Sequence, residues 1–257
     1  MTVTVAPTVE LSNVPPRVRL DVSASAGETS TTVVRNDPDN VQRPVRTSDG
    51  APLTLSGGVG LLYDYEVPYS TVVTYTTLES PTVLGVDVTV DVDQVWLIHP
   101  GVPGLSMPVN VASIGTRTRS VQQGVHWPMG RKTPVVQTDG QRKAPSGQIE
   151  LRVESLEELA DLEALTDDAG TLFLNIPADF GWGVSACYIS VGDIQEDRLV
   201  EYAGEPRRYY QLPFQVVDQP VGGTQAQRQY TDVLATFTSY TTMKAAYTNY
   251  LSLLAGP

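Results

Sequence analysis

The 257-residue chain is 41% hydrophobic and 18% charged, and carries a net charge of −12 with an isoelectric point near 4.5. Such acidity argues against a grip on a phosphate backbone, which takes clustered Lys and Arg, and so against sequence-specific nucleic-acid binding. One cysteine, Cys187, excludes an intrachain disulfide framework and a Cys-based zinc site, and no apolar run approaches the ~20 residues of a membrane-spanning helix.

The length admits one large domain or two smaller ones. Abundant Val and Thr point to strands, and 19 Pro with 21 Gly suit many turns and few long helices. Residues 1–13 read as an N-terminal arm leading to Pro15-Pro16. The opening MTVTVAPTVE lacks the basic start and apolar stretch of a signal peptide, so synthesis in a cytoplasm is expected. In RVRLDVSA, Val18, Leu20 and Val22 share one face and Arg17, Arg19 and Asp21 the other, the alternation of a half-buried strand. TTVVRN, LTLSGG, VGLLYDYEV and STVVTYTT supply further short strands. In GVDVTVDV, Val86, Val88, Val90 and Val92 are expected to face in. About seven short strands with turns every 8–12 residues predict a β-sandwich of immunoglobulin or fibronectin type over 14–95.

A second, α+β block is expected over 96–220. It opens on WLIHP, crosses a long polar stretch with Trp127 and a turn at Asp139-Gly140, and reaches the strand SGQIELRV. SLEELADLEALTDDAG is the one clear helix. Ser155 and Glu158 form a capping box, Leu156, Leu159, Ala160, Leu162 and Leu165 make the apolar side, and Gly170 is placed to end it. TLFLNIP, ACYISVGDI and YYQLPFQVVDQP follow as strands, with Cys187 read as a buried structural thiol. A Gly-rich hinge at Val221-Gly222-Gly223-Thr224 leads into 221–257, which repeats every ten residues. Tyr230, Tyr240 and Tyr250 open the units, Phe237 matches Tyr247, and Val233, Met243 and Leu253 share a slot. Ten residues at ~3.6 per turn do not return to one face. The tail is therefore either one helix with a winding aromatic stripe or several short helices capped at Ser239 and Asn249. Either form needs a partner surface for its aromatics.

No catalytic constellation emerges, and the chain is expected not to be an enzyme and to need no cofactor or metal. His99 and His126 stand in no metal-ligand spacing. Neither a nucleophile elbow nor a P-loop is present. The carboxylate pairs Glu157-Glu158 and Asp167-Asp168 sit at the ends of the predicted helix, the first pair where negative charge suits the helix dipole. Asp87, Asp91 and Asp93 lack the Gly-turned loop of a calcium site. One asymmetry stands out. Arg117, Arg119, Arg131, Lys132, Arg142 and Lys143 crowd a stretch whose one acid is Asp139. Ordinary loop solvation accounts for it; the sharper reading is a loop that docks on an acidic surface, that of the next identical subunit. Trp127 and Trp182, each beside Gly or Pro, read as packing residues or as sugar-stacking platforms.

YDYEVPYSTVVTY, WLIHPGVPGLSMPV, GRKTPVVQTDGQR and the tyrosine-repeat tail together resemble minor tail proteins of phages infecting actinobacteria, over nearly the whole chain. Many of those proteins carry Trp where this tail has Tyr, and a Pro before each unit that is missing here. The strand-helix-strand order of 147–177 also resembles the split-barrel fold of tail-tube, hub and distal tail proteins. The resemblance implies a ring-forming protein of the tail tip, a trimer or hexamer built by strand pairing between subunits. Its partners would be tail-tube, tape-measure or tip proteins, and its place the virion. The interface residues expected are the six cations together with Tyr230, Phe237, Tyr240, Tyr247 and Tyr250. The alternative is a carbohydrate-binding adhesion module touching cell-wall glycans through Trp127 and Trp182. A cell-envelope hydrolase is the weakest of the three for want of any catalytic spacing.

Overall fold

The structure, a computed structural model, describes residues 3–222 apart from 26, 49, 80–84, 168, 169, 201 and 203. The tail aromatics Tyr230, Phe237, Tyr240, Tyr247 and Tyr250 therefore lie outside the described residues, as does the tail's predicted helical form.

The described chain is mainly β with one α-helix. Its strands are β1 (Val3–Glu10), β2 (Arg17–Ala24), β3 (Ser30–Thr31), β4 (Val33–Asn36), β5 (Gln42–Pro44), β6 (Leu53–Thr54), β7 (Val59–Asp64), β8 (Val73–Thr77) and β9 (Val86–Val88). β10 (Val95–Ile98), β11 (Met107–Ile114), β12 (Val121–His126), β13 (Val135–Arg142) and β14 (Ser146–Val153) precede helix α1 (Leu156–Asp167). β15 (Thr171–Asn175), β16 (Cys187–Val191), β17 (Gln195–Arg198) and β18 (Arg208–Val217) follow it. The largest sheet has the order β14-β11-β10-β15-β16-β18-β17, and a further β14–β18 pairing closes six of its strands into a barrel. The chain divides into two compact units, one of 1–108, 172–186 and 219–257, the other of 109–171 and 187–218.

In the first unit, β1-β2-β7 form one sheet and β5-β4-β8-β9 another. The predicted alternation of β2 is present: Val18, Leu20 and Val22 are fully buried, and Val73, Tyr75 and Thr77 repeat the pattern on β8. β9 is shorter than expected. Val88 and Val90 are buried, but Val86 is exposed and Val92 half-buried. Arg17 opens β2 buried, with Glu10 on its Nε at 2.7 Å and its guanidinium over the Tyr63 ring at 4.0 Å. Such a cation is retained because both its charge and its flat face are occupied.

A second buried charge group lies in the same unit. Arg35 donates to Asp37 (2.6 Å) and to Asp64 (2.8 Å), and the Tyr75 hydroxyl also donates to Asp64 at 2.8 Å. Burial alone would lower the Arg35 pKa, but Asp64 and Asp37 outweigh it and hold the guanidinium charged. Asn175, fully buried, accepts from the Tyr69 amide and donates to the Val67 carbonyl, so two loop backbone groups find their partners on one side chain.

In the second unit, β18 is the hub. β14 runs antiparallel along it from Ser146↔Gln215 to Val153↔Arg208, while β17 and β16 share its other edge at opposite ends. Tyr210, Leu212 and Phe214 alternate into the interior with Ile149, Leu151 and Val153 of β14. α1 has the predicted start: the Glu158 amide donates to Ser155 Oγ at 3.1 Å, and Glu158 Oε2 accepts from the Glu154 amide at 2.8 Å. Its buried side is narrower than the sequence suggests. Leu162 and Leu165 are buried and Leu159 is half-buried, whereas Leu156 and Ala160 face solvent. No helix among the described residues is long and apolar enough to cross a membrane.

Candidate functional site

The polar stretch between Gly115 and Lys143 is not a loop. It forms β12 and β13, an antiparallel ribbon that pairs only with itself among the described strands. The predicted turn at Asp139-Gly140 is a correction: these residues lie inside β13, where the register slips between Val121 and Gln123 and Gly140 takes a φ of 85°. A bulge needs one residue in that left-handed region, and glycine enters it without a steric cost. The reversal itself falls about ten residues earlier, around Pro128 and Gly130.

The neck of the ribbon is tied to the body of its unit. Thr118 and Ser146 exchange both backbone hydrogen bonds, at 2.7 and 2.9 Å, and the Lys143 amide donates to the Ser120 carbonyl at 2.9 Å. Beyond the neck, five of the six β12 residues are exposed. The tip is apolar and open to solvent: Met129 is fully exposed, Trp127 is 63% exposed, and the cross-strand pair Val125↔Val136 is about half exposed on both sides. An exposed apolar patch of this kind marks a contact surface more often than a solvated loop.

All six predicted cations belong to this ribbon or its neck. Arg117 and Arg119 precede β12, Arg131 and Lys132 lie in the tip, Arg142 ends β13 and Lys143 follows it. They are exposed. Among the described residues no salt bridge ends on Arg119, Arg131, Lys132, Arg142 or Lys143. Arg142 donates to the Arg119 carbonyl at 3.4 Å, which holds the two neck cations side by side. The segment carries six cations and one acid, leaving 11 Lys and Arg against 28 Asp and Glu in the rest of the chain. A cationic arm on an otherwise acidic chain carries a field of opposite sign to the rest of the molecule.

The other predicted residues are placed as follows. Trp182 lies in the first unit on the short turn after β15, tilted against Phe180 at 5.1 Å between centroids and partly exposed. Trp127 lies in the second unit, so the two tryptophans belong to different units. His99 is buried, and its Nδ1 accepts from the Gly101 (3.1 Å) and Val102 (2.9 Å) amides. Those two bonds put the ring proton on Nε2 and make the ring a clamp for its own loop. His126 is exposed at the end of β12. Cys187 is half-buried at the start of β16, where burial pushes its thiol up to about 11. A thiol so placed stays protonated at neutral pH. Glu157 and Glu158 are in the first turn of α1, and Asp167 ends it. Asp87 accepts from the Thr74 hydroxyl at 2.8 Å. Among the described residues, no three His, Cys, Asp or Glu are grouped to hold a metal ion.

Sequence reasoning found the cations but missed their apolar companions Val125, Met129, Val135 and Val136. It also missed a shallow, open depression in the same unit, at the root of the ribbon, lined by Gly115, Gly147, Gly192 and Pro213 among others. No protein-family model matches the chain, and a comparison with curated proteins finds no match.

Proposed function

We propose that this chain is a structural, non-catalytic protein that assembles with copies of itself through the β12–β13 ribbon, as a ring component of a phage tail tip. The observation that carries the reading is the ribbon: a neck tied by hydrogen bonds, exposed cations and an open apolar tip, on an otherwise acidic chain. A solitary two-stranded ribbon is marginal in water, and contact with a further surface is what makes such an element worth its exposure.

The finer fold assignment belongs to the same reading. The β1-β2-β7 and β5-β4-β8-β9 sheets of the first unit are those of a β-sandwich, and the barrel with its one helix is a split-barrel ring module. The ribbon joins neighbouring modules by strand pairing and charge, and the ring meets tail-tube, tape-measure or tip proteins in the virion. The basis for the tail assignment is the sequence resemblance alone; the basis for self-assembly is the ribbon's chemistry.

The test is the mass of the purified protein in solution together with negative-stain images. Closed rings of three or six subunits are expected. A monomer at every concentration and salt, or open aggregates without rotational symmetry, would contradict the proposal.

A further inference from the structure

The end of the ribbon is apolar on both of its faces, which limits what can cover it. Val125 and Val136 oppose each other on one face, while Val135, paired with His126, lies on the other. All three valines are about half exposed, and Trp127 and Met129 carry the apolar surface around the turn. A flat protein surface covers one face of a two-stranded ribbon and leaves the other in water. A fluid lipid interface closes around both faces at once. The backbone of the turn suits that medium. Pro128 and Pro134 bring no amide, and the Arg131 amide donates to the Pro128 carbonyl at 3.1 Å, so fewer donors remain to be desolvated.

The apolar zone has a sharp lower edge. Below Val125↔Val136 come Gly124↔Gln137 and Gln123↔Thr138, and Gln122, Gln123, Gln137 and Thr138 are all exposed. From that polar belt to Trp127 is about three residues, or ~10 Å at ~3.3 Å per residue, which matches the ~5–10 Å to which interfacial elements sink between headgroups and acyl chains. It is far short of the ~9–11 residues of a strand that spans a bilayer. Charge gives the sign of the surface. The stretch from Val121 to Thr138 contains Arg131 and Lys132 and no Asp or Glu. Both cations are exposed, and among the described residues no salt bridge ends on either. Cations beside a Trp-bearing apolar tip fit anionic headgroups. The acids in the body of the unit do not oppose this. β12 carries the chain about 20 Å past the neck at ~3.3 Å per residue, more than two Debye lengths of ~8 Å.

We infer that the ribbon tip inserts into the interface of an anionic lipid membrane, with Trp127, Met129 and the valines behind them below the headgroups and Arg131 and Lys132 on the lipid phosphates. This contact goes beyond the self-assembly reading and does not depend on it. It engages the tip alone. The neck cations Arg117, Arg119, Arg142 and Lys143 stay at the root of the ribbon, available to a neighbouring copy.

Flotation of the full-length protein with phosphatidylcholine vesicles, made with or without phosphatidylglycerol, tests it. The wild type should float with the anionic vesicles, and lipids brominated in their acyl chains should quench its tryptophan fluorescence. Trp127→Ala/Met129→Ala should lose about tenfold or more in vesicle affinity. Arg131→Gln/Lys132→Gln should lose about tenfold or more on the anionic vesicles. Trp127→Phe should float nearly as the wild type does but lose the quenching, since Trp96 is buried and Trp182 belongs to the other unit. All these positions are exposed, so circular dichroism and melting temperature should match the wild type. A wild type that floats with neither vesicle, folded tip variants that float as well as the wild type, or quenching that persists in Trp127→Phe would overturn the inference. Binding to anionic vesicles without quenching would overturn it too, as adsorption of the cations alone. None of these results touches self-assembly, which is read from the mass in solution; a wild type that forms rings yet floats with neither vesicle gives the tip to the subunit contact.

Discussion

Two charged regions of this molecule use the same side chains to opposite ends. Around Arg35 the charges are buried and saturated within one chain. The guanidinium is 2% exposed and bonded to Asp37 and Asp64, which are themselves buried. Along the ribbon the cations are exposed, and five of the six end in no salt bridge among the described residues. The first arrangement binds the fold internally and leaves nothing for a partner. The second adds almost nothing to folding and leaves most of its charge facing solvent. The contrast gives stability to one region and, on the proposed reading, assembly to the other, and substitutions in each should separate the two.

The largest effect is expected at the buried group. Arg35→Ala leaves Asp64 buried with only a hydroxyl and an amide for company, and should cost about 3–5 kcal/mol in chemical denaturation. A loss under about 1 kcal/mol would mean that water reaches the cluster. Asn175→Ala comes next. It orphans the Tyr69 amide and the Val67 carbonyl, and about 2–3 kcal/mol of destabilisation should follow. If the melting temperature does not move, those backbone groups have other partners. Ser155→Ala removes the cap of α1 for about 1 kcal/mol. Since α1 belongs to the ribbon's unit, this variant also asks whether modest destabilisation there disturbs assembly; rings should still form. Last in stability terms is the exchange of all six ribbon cations for Gln, which should change folding by less than about 0.5 kcal/mol per position yet abolish assembly.

What the sequence disclosed follows the same division. β2 was legible because one of its faces is buried, so Val18, Leu20 and Val22 print the two-residue period into the chain. The α1 start was legible because a capping box is local, with Ser155 and Glu158 three positions apart. The ribbon strands were not. Both faces of β12 meet solvent, so no apolar alternation marks VQQGVH, and Asp139-Gly140 imitated a turn while forming a bulge. Composition alone exposed the site, as a cluster of cations in an acidic chain. The Arg35–Asp64 pair was invisible for another reason: 29 positions separate its partners, and nothing local announces that an Arg will be neutralised at that distance. The depression at the ribbon's root likewise gathers residues from β14, β16 and β18, which only the folded sheet brings together.

The central claim is that the ribbon's exposed charge drives association of identical chains. Sedimentation mass of the wild type and of the six-cation Gln variant, each followed from low to high salt, tests it most directly. The account predicts rings for the wild type at low salt that dissociate as salt rises and screens the cations, and a folded monomer for the variant throughout. A variant that assembles as the wild type does, with the same salt dependence, would contradict it.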